Sequence, residues 1–130
     1  MVRTLTPREM EQLKRMRIAV ESLVVDIICT EASDEAIRSL YSEIAQTFEE
    51  GDNASENNSK FHMSLARLTD DKYAISLMET LLGSASRVEQ YVIAEKRDVW
   101  QYYHRGIVDA LVARNAAVAK ARLIEDINQR

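Results

Sequence analysis

Pro7 is the only proline in the chain, and only Gly51, Gly83 and Gly106 join it as residues that readily interrupt regular structure. With so little punctuation, apolar residues that recur three and four apart can be written as long helices. Pro7 itself does not break one. It follows Thr6, a good N-cap, and sits at the first helical position, where its missing N–H costs nothing, while Glu9 completes a capping box. From there Leu13, Met16, Val20, Leu23, Val24 and Ile27 predict one apolar stripe on a helix that runs to about Cys29. Ser33 caps a second helix with Ile37, Leu40, Tyr41, Ile44 and Phe48 inward, ended by Gly51. A third spans about Ala54 to Leu68, with Phe61, Leu65 and Leu68 inward. The fourth, after the Thr69-Asp70-Asp71 turn, uses Ala74, Leu77, Met78, Leu81, Ala85, Val88 and Val92, with Gly83 weakening its middle. Trp100, Tyr103, Ile107 and Leu111 mark the fifth, and Asn115 caps a sixth carrying Ala119, Leu123 and Ile127. No strand pattern, repeat or internal linker occurs. The reading is an all-α antiparallel bundle in a single domain covering residues 1–130.

A chain of 130 residues with 46% hydrophobic content is long enough to bury one core. Its net charge of −4 and pI of about 5.2 provide no basic face for a nucleic-acid backbone. The one cysteine, Cys29, lies in an apolar run and reads as a small buried hydrophobe. Neither a secretory signal nor an 18-residue apolar stretch is present, which predicts a cytoplasmic protein away from the membrane. The Asn-x-Ser matches at Asn53 and Asn57 matter only in a secreted chain and are set aside.

Four polar residues interrupt the apolar faces. Asn58 and His62 are one helical turn apart, the spacing that aims two side chains at one point. His104 shares a face with Ile107, Val108 and Leu111, and Asp126 lies on the Ala119–Leu123 stripe. An inward carboxylate needs a partner, because an unpaired buried charge is very costly. Residue type alone fits satisfied core groups as well as metal ligands. Arg17, one turn before Glu21, is either half of an exposed helix pair or an inward guanidinium that forks onto a carboxylate ligand, and Arg87 in the fourth helix has the same two readings. Gly-x-Ser-x-Gly, a Gly-rich phosphate loop, His-Glu-x-x-His and the Glu-x-x-His pair of di-iron bundles are all absent, so no catalytic constellation is predicted.

Taken in order, the features resemble one known domain. Arg17-Ile18-Ala19-Val20-Glu21 resembles the Arg-x-x-(apolar)-Glu pattern that opens the C-terminal ligand-sensing (FCD) domain of FadR-type GntR transcription regulators. Asn58-Ser59-Lys60-Phe61-His62 looks like its Asp-x-x-Phe-His motif, and His104 through Leu111 resembles its His-x-x-Ile-x-x-Ala-(Ile/Leu) motif. Asn115, Ala119 and Leu123 are similar to its last stretch, so the resemblance covers nearly the whole chain. It implies a bundle of six or seven helices around a central cavity, a non-enzymatic role in dimeric regulators, and a divalent metal, commonly zinc or nickel, on one Asp and three His. Small carboxylate effectors bind there, often with an arginine.

Carried over residue by residue, His62 and His104 match two of the family histidines. Asn58 stands where the family has Asp, and Asp126 where it has the third histidine. Two imidazoles, one carboxylate and an amide oxygen still make a plausible first shell for zinc or another divalent metal. Arg17, with Arg87 as a second candidate, would meet the effector carboxylate. The family's winged helix is missing from these residues, so DNA contact is expected only through such an N-terminal domain. The alternatives are a bundle metalloenzyme, with Asp126 or Glu56 as nominal base, and a structural interaction module.

Overall fold

The computed structural model describes residues 5–50, 54–89 and 97–129, with side chains described for 5–46, 58–84 and 101–129. Six helices follow one another: α1 Pro7–Glu31, α2 Asp34–Glu50, α3 Ala54–Leu68, α4 Lys72–Glu89, α5 Arg97–Val112 and α6 Ala116–Ile127. No strand occurs among the described residues. The all-α bundle is as the apolar spacing predicts.

The caps act where the sequence places them. Thr6 Oγ1 accepts the Glu9 N–H at 3.1 Å, and Glu9 Oε1 accepts the Thr6 N–H at 3.1 Å, so two otherwise orphaned donors are satisfied. Ser33 Oγ, Asp71 Oδ1 and Asn115 Oδ1 do the same work for α2, α4 and α6. The turn between α5 and α6 puts Arg114 at φ 57°, a left-handed position that normally favours glycine. Its side chain explains the arginine. Nη1 donates to the Ile28 and Cys29 carbonyls at the end of α1, and Nη2 pairs with Asp34 at the start of α2 at 2.8 Å. One cation thus satisfies the negative end of one helix and joins it to the next.

Helix α1 is central, packing against α3, α4, α5 and α6, while α5 also lies against α2 and α6. The apolar core gathers Val24, Val25 and Ile28 of α1 with Ile37 and Leu40 of α2, Leu65 of α3, Met78 of α4, Ile107 and Leu111 of α5, and Leu123 of α6. Each such aliphatic side chain contributes about 1.5–3 kcal/mol through burial.

The stripe predicted for α1 is rotated by about one residue. Met16 and Leu23 are 52% and 54% exposed, and the buried line is instead Leu13, Arg17, Glu21, Val24 and Ile28. Arg17 and Glu21 can lie on the inner face because they pair with each other, which leaves the apolar residues at 16 and 23 outside. On α4 the buried line is Ala74, Met78 and Leu82, spaced by four, and this places the expected core residue Leu77 in solvent. Helix α4 runs unbroken through Gly83, where an added Cβ would meet nothing within 4 Å. The expected inward side chains of Phe48, Ala85, Val88, Val92 and Trp100 lie outside the described residues, as do those of Arg87 and Glu56.

Candidate functional site

Six polar side chains, Arg17, Glu21, Asn58, His62, His104 and Asp126, are buried together between the helices. Helix α1 supplies the first two, α3 supplies Asn58 and His62 from successive turns, α5 supplies His104 and α6 supplies Asp126. Helices α3, α5 and α6 therefore do meet, directly and alongside α1, at the point where the sequence leaves four polar groups on inner faces.

The contacts form a chain. Arg17 Nε donates to Glu21 Oε2 at 2.9 Å. Glu21 Oε1 takes the His62 Nδ1–H in a short hydrogen bond. On the other side of the ring, His62 Nε2 meets Asp126 Oδ2 at 2.6 Å. His104 Nε2 approaches the same oxygen at 3.5 Å and donates to Asn58 Oδ1 at 2.8 Å. Phe61 stacks on His104 with ring centroids 4.0 Å apart, which fixes the plane of that imidazole.

Burial and charge divide the two histidines. Burial alone would lower the pKa of His62, but the Glu21 and Asp126 carboxylates outweigh it and raise the value to about 9. His62 is then an imidazolium at neutral pH, donating from both nitrogens. His104 is pushed the other way, below its ordinary value, because burial, helped by the His62 cation, outweighs the pull of Asp126 and Glu21. Burial opposes the Glu21 charge, yet His62 and Arg17 hold its pKa below the ordinary value. The same opposition at Asp126 is overcome by His104 and His62, which lower its pKa too. Charges that would each be costly alone are mutually compensated.

Two features of the donor set suit a metal ion. One nitrogen each from His62 and His104 and one oxygen from Asp126 lie within 4.8 Å of one another, and all three residues are buried. A four-coordinate zinc with bonds of roughly 2.0–2.2 Å takes donors of this kind, drawn in to about 3.4 Å from one another. In addition, Asp126 Oδ1 is buried without a hydrogen-bond partner among the described residues, leaving a carboxylate lone pair to be satisfied. His62, His104 and Asp126 could thus hold a divalent ion, with the Asn58 amide oxygen adjacent.

Arg17 is placed inward, as one of its two readings has it, yet its described partner is Glu21, four residues on in the same helix. Glu21 is the residue that sequence reasoning missed at the site: it entered as the partner of Arg17 and as the end of the Arg-x-x-(apolar)-Glu pattern, with no role at the site. The available signal was phase: 13, 17, 21, 24 and 28 form an unbroken helical line in which the two charged residues are complementary.

Residues 12–129 match the FCD domain. The chain belongs to that family. Among curated proteins, it is similar to the uncharacterized HTH-type transcriptional regulator YdhC of Bacillus subtilis (strain 168), with 23% identity over 135 aligned residues. The match covers 98% of this chain and 60% of YdhC, so the chain spans less than two thirds of that relative. Among solved structures, E. coli McbR/YncC has the same fold, with a TM-score of 0.81 at 18% identity over 98% of this FCD domain and 68% of that chain.

Proposed function

We propose that this FCD domain is the effector-sensing and dimerisation part of a FadR-type transcription regulator and acts in the cytoplasm. In this reading its effector is a small carboxylate, and a divalent metal, zinc or nickel, is held by His62, His104 and Asp126 beside Asn58. The observation that carries the reading is the convergence of those donors inside a member of this family, to which a curated protein named as an HTH-type transcriptional regulator is similar. When bound, the metal would supply a positive centre for an effector carboxylate. To bind the ion, His62 would release its Nε2 proton while keeping Nδ1–H on Glu21, His104 would contribute a second nitrogen and Asp126 charge, and the surrounding apolar core keeps water away. Arg87 of α4 would be an arginine that meets the effector carboxylate. DNA contact would fall to a helix-turn-helix segment and not to these six helices. No described helix is long and apolar enough to cross a membrane.

Homodimer formation is supported by the outer faces of α1 and α4. These helices pack together, and they leave Met16, Leu23, Tyr73 and Leu77 exposed. Several large apolar side chains left outside in this way favour a partner. Effector binding would act by population shift, one dimer arrangement binding the carboxylate better than the other.

The test is thermal melting with acetate, succinate, citrate and benzoate, each with zinc or nickel and each with a chelator. The reading expects at least one carboxylate to raise the midpoint more with metal than with chelator. Equal shifts in both conditions would overturn the metal-dependent version, and no shift with any probe would count against carboxylate sensing.

A further inference from the structure

The Arg17–Glu21 pair has no role in the function proposed above, although both residues are almost wholly buried. An i,i+4 ion pair on a helix is ordinarily a surface feature contributing a few tenths of a kcal/mol. Here both members are inside, at 0% and 1% exposure. Burying two charges is unfavourable unless pairing and further hydrogen bonds offset the desolvation. The direction of the pair shows where those bonds go. Glu21 uses one oxygen on Arg17 Nε and the other on His62 Nδ1. The second contact fixes the ring so that Nε2 is the nitrogen facing Asp126 and His104.

We infer that Glu21 and Arg17 are positioning residues for His62: Glu21 holds the Nδ1–H and so presents Nε2 to the metal, and Arg17 holds Glu21 in place. This deepens the metal reading and rests on it. A metal-binding histidine commonly donates its other ring N–H to a carboxylate, which sets the tautomer and ring direction and raises ligand basicity. The arrangement also gives Arg17 a task other than meeting the effector, since its guanidinium is engaged behind the histidine. Asp126 cannot replace Glu21, because it faces the opposite ring nitrogen. Glutamine cannot replace it either: two donors, Arg17 Nε–H and His62 Nδ1–H, converge on position 21, and an amide has one acceptor oxygen.

The experiment uses the full chain, its Glu21→Gln and Arg17→Met variants, and His62→Gln for assignment. Zinc affinity is measured by competition with a chromogenic chelator. Separately, NMR of the metal-free, 15N-labelled protein follows the downfield Nδ1 proton of His62, told from the Nε2 proton by its nitrogen's couplings to the carbon-bound ring protons, both ring N–H signals being lost in His62→Gln. The expected result is a 10- to 100-fold weaker zinc affinity in Glu21→Gln, the range found when such an outer partner is removed, together with loss of the downfield proton. Unchanged zinc affinity in a folded Glu21→Gln, or persistence of that proton, overturns the inference. If Glu21→Gln does not fold, Arg17→Met carries both readouts, with weakened zinc binding and a shifted or lost proton expected, and no change in either overturning it. Should the unaltered protein take up no zinc, the metal reading fails on its own. The ring proton and its response to Glu21→Gln then still decide whether Glu21 holds His62.

Discussion

The two ends of the inner face of α1 are built on opposite principles. From Val24 to Ile28 the helix buries aliphatic side chains against Leu40, Leu111 and Leu123, and nothing there titrates. One to two turns earlier the same face buries Arg17 and Glu21 against His62 and Asp126. The aliphatic end is stabilised by area removed from water, which is insensitive to pH and to ions. The polar end is stabilised only while every member of the chain has its partner. The contrast separates a part of the domain that makes it fold from a part that can respond to something.

The largest effect should come from breaking one end at a single residue. His62→Leu leaves Glu21 and Asp126 as buried carboxylates without the cation between them. We expect a loss of about 3–5 kcal/mol in urea unfolding, the cost of removing one partner from a buried ionic group. Leu111→Ala at the other end should cost a comparable amount, about 2–5 kcal/mol, through lost contacts and a cavity. The two differ in rescue. Replacing Arg17, Glu21, His62 and Asp126 together with apolar residues of similar size should recover most of the loss, since a well-packed apolar core often equals a buried ion network. A quadruple variant as unstable as His62→Leu would show that the network contributes net stability.

The pH dependence of the metal-free protein sharpens the comparison at a smaller scale. His62 is raised from 6.5 to about 9, so its stabilising contribution is fully present below about pH 6.5 and is lost as pH rises through 9. That loss should amount to roughly 2–3 kcal/mol, measured by urea unfolding between pH 7 and 10. Towards acid the signs reverse. His104, held below its ordinary value of 6.5, begins to cost stability as pH falls below that point, because the unfolded chain takes up the proton first. Glu21 and Asp126, lowered from 4.5 and 3.8, add their losses as pH falls below those values. The apolar-end variant Leu111→Ala should keep the same profile at lower overall stability, whereas the quadruple variant should be flat on the alkaline side. The smallest effect concerns neither end: Gly83→Ala, in an exposed turn of α4 with open space around the Cβ, should raise stability by about 0.5–1 kcal/mol.

The same contrast decides how much was legible in the sequence. Helix boundaries came from Thr6, Pro7, Ser33, Asp71 and Asn115, whose chemistry is local, and the structure uses each of those caps. The apolar spacing of α2 and α3 gave their buried residues Ile37, Leu40, Phe61 and Leu65 for the same reason. Helix α1 was misphased because its inner face contains two charges. A search for apolar periodicity fits Met16 and Leu23 better than Arg17 and Glu21, and only the neighbours contributed by α3 and α6 make the charged phase favourable. Asn58, His62, His104 and Asp126 could each be seen to point inward, but their convergence depends on how α3, α5 and α6 pack, which no spacing within one helix contains. Glu21 was hidden twice, by its exposed-pair spacing with Arg17 and by a partner 41 residues away.

The central claim is that the polar end of this FCD domain is a site for a divalent ion. Calorimetric titration of zinc, and then nickel, into protein purified without a metal-affinity column tests it most directly. The account predicts one ion per chain, lost in both His62→Ala and His104→Ala and retained in Leu111→Ala. No uptake by the unaltered protein, or uptake that survives removal of either histidine, would contradict it.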